Sequence, residues 1–122
     1  MKFNISSILS LFFISFSFTQ LGAQVETVKL TQMPAKFQTE SMTLTEGQYQ
    51  FEIANNGVDH EVGFVLVPKG KYSPENHIKA AYVKAPVPNG KSSMTSVVDL
   101  KAGEYEYFCP LNPTPKYKLI VK

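Results

Sequence analysis

The sequence predicts an all-β fold, a Greek-key β-sandwich of about seven strands with one short helix. The clearest strand is 48–54, where aromatic and aliphatic side chains alternate strictly with polar ones. The stretch LTEGQYQF at 44–51 recurs as LKAGEYEY at 100–107. We interpret this echo as two equivalent corners of a sandwich, where glycine permits the turn and tyrosine bonds back to the backbone.

The first 23 residues are predicted to form a secretory signal peptide. Met1-Lys2 is a positive start, Ile5–Phe18 an apolar core and Leu21–Ala23 a small-residue cleavage end. The core is shorter than the roughly 20 residues of a spanning helix, although an uncleaved anchor is the alternative. Cleavage after Ala23 would leave residues 24–122 as one domain, periplasmic or secreted and without a membrane span.

The first half of this domain shows a series of strands. Val25–Met33 and Lys36–Thr45 alternate irregularly around Pro34, which predicts two short strands or one bent edge strand. The Asn-Asn-Gly turn at 55–57 leads into His60–Val67, which is almost wholly apolar after Glu61 and is predicted to be a central strand.

The second half begins with the predicted helix. Ser73 is a plausible N-cap and Pro74 the first helical residue of a segment that runs to about Lys84. Strands are then expected at 92–100, 103–109 and 116–122, with proline-rich loops between them.

Charge and cysteine content exclude several classes of function. All twelve basic residues are lysines, ten residues are acidic and no arginine is present, so nothing indicates nucleic-acid binding. Catalytic triads, phosphate loops and acid/base carboxylate pairs are not apparent either, and we predict that the chain is not an enzyme. In an exported chain the single Cys109 must be a free thiol, an intermolecular bridge or a metal ligand.

Two segments resemble the cupredoxins, the blue-copper proteins such as plastocyanin and amicyanin. The stretch GEYEYFC at 103–109 matches the family pattern Gly-x-Tyr-x-Phe-x-Cys-x-x-His-x-x-Met, with tyrosine in place of phenylalanine. Asn55–His60, followed by an apolar strand, looks like the family segment that brings the first copper-binding histidine. The resemblance implies a cupredoxin-like domain over residues 24–122, with the two segments together at one end.

The resemblance also implies a ligand set. His60 would be an imidazole ligand of copper and Cys109 the thiolate ligand. Asn112 stands where the family has its second histidine, and Pro115 where a short-loop member has its methionine. Glu61 is an additional candidate ligand, although alternation along a strand would turn it to the opposite face from His60. One thiolate and one imidazole favour Cu(I), which accepts low coordination numbers.

Each of these residues also has a structural interpretation. In the structural interpretation, Cys109 is a small apolar side chain buried in the core. His77 is expected on the exposed face of the helix rather than at a metal. Two functions therefore stay open. One is copper handling or electron transfer with a redox or copper-donor partner protein, and the other is a copper-free binding or structural module, as the ephrins resemble cupredoxins without their metal.

Overall fold

The alternation of apolar and polar side chains produces two packed β-sheets in the computed structural model, which describes residues 24–122. The predicted signal peptide, residues 1–23, lies outside the described residues. Within the described part, the strands are β1 (Val25–Met33), β2 (Lys36–Phe37), β3 (Ser41–Leu44), β4 (Gly47–Asn55), β5 (Val65–Pro68), β6 (Ser92–Met94), β7 (Val98–Leu100), β8 (Gly103–Phe108) and β9 (Tyr117–Val121).

The sheets combine parallel and antiparallel pairs. The first sheet has the order β2-β1-β4-β6, and β7 also pairs with β4. The second has the order β3-β9-β8-β5, so β5 is an edge strand. Strands β1 and β4 are parallel, as are β3 and β9, whereas β5 and β8 run antiparallel. The all-β sandwich predicted from the sequence is confirmed.

The core between the sheets is built around aromatic rings. Phe37 is 1% exposed and meets Tyr107 edge-on with 5.1 Å between ring centroids. Phe64 packs against Phe51 at 5.3 Å, and Tyr117 stacks on Tyr107 at 5.5 Å. Offset and edge-on contacts of this kind add to the stabilisation from burial alone. The aromatic core therefore extends to Tyr107, two residues before Cys109.

Both predicted corners are present. The Tyr49 hydroxyl donates to the Thr45 carbonyl at 2.6 Å, and the Tyr105 hydroxyl donates to the Lys101 carbonyl at 2.9 Å. In each case tyrosine bonds back across four residues, as the sequence echo indicated. The predicted bend near Pro34 is also present, since β1 and β2 are joined by a tight turn in which Ala35 has a φ of 63°.

The predicted central strand at His60–Val67 is wrong at its beginning and in its place, because β5 lies at the edge of its sheet. Regular pairing starts only at Val65, and of the preceding residues Val62 alone forms an isolated bridge, to Val87. His60 and Glu61 are exposed. The side chain of Asn55 binds the His60 carbonyl at 2.9 Å, which holds this stretch in the loop after β4 instead of in a sheet.

The continuous helix predicted to run to Lys84 is also wrong. Two single 3-10 turns stand in its place, at Pro74–Asn76 and Lys79–Ala81. The chain leaves the helical conformation between them because the Ile78 N–H donates to the Leu66 carbonyl of β5 at 2.9 Å. A contact with the sheet thus outweighs the local helix signals. None of the helices in residues 24–122 is long and apolar enough to cross a membrane.

Candidate metal centre

Three loops meet at one end of the sandwich, where the resemblance placed the metal site. They are the β1–β2 turn, the loop after β4 and the loop between β8 and β9. A surface cavity of about 350 Å³ is lined by all three, with Ala35, His60 and Asn112 among its walls. The prediction that the segment before His60 and the loop after Cys109 lie together is confirmed.

Cys109 lies below the surface at this end. It follows the last residue of β8 and is only 2% exposed. Its Sγ accepts hydrogen bonds from the backbone N–H groups of Gly63, at 3.3 Å, and Asn112, at 3.2 Å. The Cys109 N–H donates to Thr114 Oγ1 at 3.1 Å. The thiol sulfur thus acts as a hydrogen-bond acceptor that joins the segment before β5 to the loop after β8.

Asn112 is the hydrogen-bonding centre of this loop. It is 3% exposed, and its Nδ2 donates to Gln32 Oε1 at 3.0 Å and to the Met33 carbonyl at 2.9 Å. Its Oδ1 accepts from the Ala35 N–H at 2.8 Å. Ala35 has a left-handed backbone, a conformation that costs a non-glycine residue about 1–2 kcal/mol. The side-chain amide therefore stabilises a strained turn and has both donor hydrogens engaged.

Gln32 completes the connection between these elements, and the sequence analysis missed it. It is fully buried, and its Nε2 donates to the Gly63 carbonyl at 2.6 Å while its Oε1 accepts from Asn112. The one sequence signal that could have indicated Gln32 is its position on the same face of the strand as Leu30. A polar group on an inward-facing side of a strand requires partners, because it lies inside the core. Gln32, Gly63, Cys109 and Asn112 form what we call the amide cluster.

His60 and Glu61 lie outside the amide cluster. Both are exposed, and His60 Nδ1 is 2.9 Å from the Glu61 carbonyl oxygen. His60 shares the surface cavity with Asn112, but Cys109 is not among the residues that line that cavity. The structure thus places His60 at the same cavity as the loop that follows Cys109. The buried thiol instead contacts the backbone N–H groups of Gly63 and Asn112.

One backbone donor identifies the segment beside Cys109. The ladder of β5 and β8 ends at the pair of Val65 and Phe108. Gly63, two residues before Val65, donates its N–H to Cys109 Sγ. Val62, directly before Gly63, is completely buried. An aliphatic side chain, which cannot bind a metal, therefore directly precedes the backbone donor to the sulfur.

His77 belongs to a separate aromatic group. Its Nε2 is 3.0 Å from the Tyr72 carbonyl oxygen and its Nδ1 is 2.7 Å from the Tyr82 hydroxyl. Because a carbonyl oxygen only accepts, Nε2 carries the hydrogen in this arrangement. Tyr72 in turn donates to Glu106, and that hydrogen bond raises the pKa of Tyr72 above its usual value. His77 is half-buried rather than exposed, because it is held between these tyrosines.

The donor groups at this end do not fit a blue-copper centre. Such a centre uses two imidazoles and a thiolate in a near-trigonal plane. In the part of the chain described here, no three His, Cys, Asp or Glu side chains form a group that could hold a metal ion. The amide of Asn112 is engaged in hydrogen bonds, and Pro115 offers no side-chain donor.

Comparison with known proteins identifies the architecture. A family model described as Cupredoxin-like domain matches residues 5–121. The structure is similar to auracyanin A, a "blue" copper protein from Chloroflexus aurantiacus, with a TM-score of 0.66, 15% identity, and 81% of this chain and 100% of that chain covered. Auracyanin B matches with a TM-score of 0.64, 20% identity, and coverage of 80% and 88%. Amicyanin from Paracoccus versutus matches with a TM-score of 0.54, 20% identity, and coverage of 79% and 81%. No curated protein sequence matches.

Proposed function

The chain belongs to the cupredoxin-like domain family, and we propose that it is an exported, non-catalytic member that works as a copper-free binding module. In this proposal residues 1–23 are removed as a signal peptide, and residues 24–122 act in the periplasm or outside the cell. The end of the sandwich that carries the family's metal site is then a rigid structural element.

One observation carries the proposal: both amide atoms of Asn112 are committed to the protein itself. The side chain bonds Gln32, Met33 and Ala35 at 2.8–3.0 Å, and its backbone N–H bonds Cys109 Sγ. A ligand exchanges such bonds for a bond to the metal, and here that exchange would leave three protein groups unpaired. In this proposal the hydrogen bonds of Asn112 join the loops to the sheets at this end of the sandwich, and no metal ion is needed to hold the loops.

The second candidate is a Cu(I) site formed by His60 and Cys109, for copper handling or electron transfer with a partner protein. It is favoured by the match of Cys109 to the family pattern and by the cavity that His60 shares with Asn112. Asn112 lies between them, because it lines this cavity and also donates its N–H to Cys109 Sγ. Two-coordinate Cu(I) would need the His60 imidazole to reach a metal ion bound at Cys109 Sγ.

A copper titration separates the two candidates. The purified protein is titrated with Cu(I) against a chromogenic competitor and, separately, with Cu(II) while the visible spectrum is recorded. The variants are Cys109→Ser and His60→Ala, with His77→Ala as the matched control because His77 lies in the aromatic group. We expect no stoichiometric Cu(I) complex and no intense thiolate-to-Cu(II) band in any of the four proteins.

One Cu(I) per chain that is lost in both Cys109→Ser and His60→Ala, and kept in His77→Ala, would replace the proposal with the copper site. His60→Ala keeps the test valid if Cys109→Ser fails to fold, because the side chain of His60 is exposed and bonds only its neighbour among the described residues. A blue native protein would likewise overturn the copper-free proposal.

A further inference from the structure

A histidine and a tyrosine are brought together where the predicted helix is interrupted. His77 follows the first 3-10 turn, and its N–H closes that turn by donating to the Pro74 carbonyl at 3.1 Å. Tyr82 follows the second turn in the same way, and its N–H donates to the Lys79 carbonyl at 3.0 Å. Between them the Ile78 N–H is bonded to β5. The two turns and this anchor therefore fix the position of the imidazole relative to the phenol.

His77 is oriented as a base towards the Tyr82 hydroxyl. Its Nε2 hydrogen is donated to the Tyr72 carbonyl at 3.0 Å, so Nδ1 of the neutral ring has no hydrogen and only accepts. Nδ1 lies 2.7 Å from the Tyr82 hydroxyl, which is therefore the donor. A nucleophile, a base within hydrogen-bonding distance and a third group that orients the base together make an activated nucleophile. We call Tyr82 and His77 the phenol–imidazole pair.

The phenol–imidazole pair borders an apolar cavity at the surface. Tyr82 is 37% exposed, and it lines a cavity of about 350 Å³ together with His77. Val83, Pro86 and Leu111 are among the other lining residues, none of which carries a carboxylate or an ammonium group. The volume lies within the range of ligand pockets in proteins. An apolar lining favours an uncharged, apolar reagent over an ion beside the hydroxyl.

We propose that Tyr82 is a nucleophile that is acylated by uncharged, apolar aryl esters, with His77 as its general base. The Tyr82 oxygen forms a bond to the acyl carbon while its proton passes to His77 Nδ1. The bond between the acyl carbon and the aryl oxygen then breaks, and the leaving aryloxide takes up the proton. Ester and tyrosine thus become an acylated tyrosine and a free phenol, without any oxidant or reductant. The acyl group is transferred once to each chain, so this is a site of covalent modification rather than of turnover.

Tyr72 provides an internal comparison, because it is as exposed as Tyr82 and lacks an imidazole partner. Tyr72 is 42% exposed, and its hydroxyl donates to the Glu106 carboxylate at 2.8 Å. That hydrogen bond raises the pKa of Tyr72, which disfavours the reactive phenolate. Tyr72 is also not among the residues that line the cavity. Exposure alone would give similar acylation of the two tyrosines, whereas the proposal gives acylation of Tyr82.

The probe for the test is p-nitrophenyl butyrate, and the acylated residue is located by mass spectrometry of peptides. Hydroxylamine distinguishes tyrosine esters, which it cleaves, from lysine amides, which it leaves intact. The variants are Tyr82→Phe and His77→Ala, with Tyr72→Phe as the matched control because it keeps the carbonyl that orients His77. We expect one hydroxylamine-labile acyl group at Tyr82 in the native protein and in Tyr72→Phe. Tyr82→Phe should have none, and His77→Ala should react about 100-fold more slowly because the base is lost.

Several results would overturn the proposal. They are acylation of Tyr72 as readily as Tyr82, a native protein that gains no hydroxylamine-labile group, or a His77→Gln variant that reacts as fast as the native protein. Glutamine keeps hydrogen-bonding groups but cannot take up the proton, so His77→Gln separates a base from a merely structural partner and replaces His77→Ala if that variant does not fold. The test is independent of the copper-free proposal, since a copper titration reads Cys109 and His60 and neither lines this cavity.

Discussion

Replacing Asn112 with alanine tests the hydrogen-bonded end of the sandwich most directly. The change removes three side-chain hydrogen bonds, to Gln32 Oε1 at 3.0 Å, the Met33 carbonyl at 2.9 Å and the Ala35 N–H at 2.8 Å. The backbone N–H of residue 112 can still donate to Cys109. The variant therefore isolates the contribution of the amide.

The expected loss follows from the number of bonds. A hydrogen bond contributes a net ~1 kcal/mol, and a buried partner left unpaired costs 1–3 kcal/mol, so we expect the free energy of unfolding to fall by about 3 kcal/mol. The total free energy of unfolding of a native protein is only about 5–15 kcal/mol. One of the three bonds is the one that supports the left-handed turn at Ala35, so part of this loss falls on a strained residue.

The assay is urea unfolding of the native and variant proteins, with the slope of the transition checked for constancy. Asn89→Ala is the matched control, because Asn89 accepts a single, exposed hydrogen bond from the Gly57 N–H. We expect that control to lose less than about 1 kcal/mol. An Asn112→Ala protein that is as stable as the Asn89→Ala control would refute the role given to the amide cluster.

Two further predictions concern pH and export. Burial raises the pKa of Tyr107 above its usual value of 10.0, so the folded state favours the neutral phenol, and the resulting stability is present below pH 10 and lost as the pH rises towards the folded pKa. Between about pH 10 and 11 the unfolding free energy of Tyr107→Phe should therefore fall by up to about 1.4 kcal/mol less than that of the native protein, and equal losses would contradict this. Separately, N-terminal sequencing of protein recovered from the expressing cells should begin at Gln24, and a retained Met1 on membrane-bound protein would exclude the cleavage.

The parts of the fold that follow from local rules could be predicted from the sequence. Strict alternation identified β4 to within one residue at each end, and the glycine–tyrosine echo identified both corners with the correct bonding direction. These features depend on residues close together in the chain. The position of Cys109 at the end of β8 was predictable for the same reason.

The features that could not be predicted from the sequence depend on contacts between distant segments of the chain. Ser73 and Pro74 do begin a 3-10 turn, although Ser73 makes no side-chain capping bond, and Ile78 bonds to β5 instead of continuing a helix. The apolar run before Val65 has strand composition, yet this stretch bonds the side-chain amides of Asn55 and Gln32 and the sulfur of Cys109 instead of a ladder. Gln32 and Asn112 are 80 residues apart, and no local pattern links them.

From the arrangement of the amide cluster we expect that one substitution will not create a blue-copper centre. A histidine at position 112 would break the three bonds of the Asn112 amide and leave the strained Ala35 turn without its support. Val62, directly before the Gly63 donor, is completely buried, and replacing it with an imidazole would place a polar group in the core. Cys109 meanwhile has a structural role through two N–H donors that requires no metal. The cysteine and the surrounding amides thus stabilise one another, which accounts for a cysteine at this position beside an asparagine whose side-chain amide is fully hydrogen-bonded.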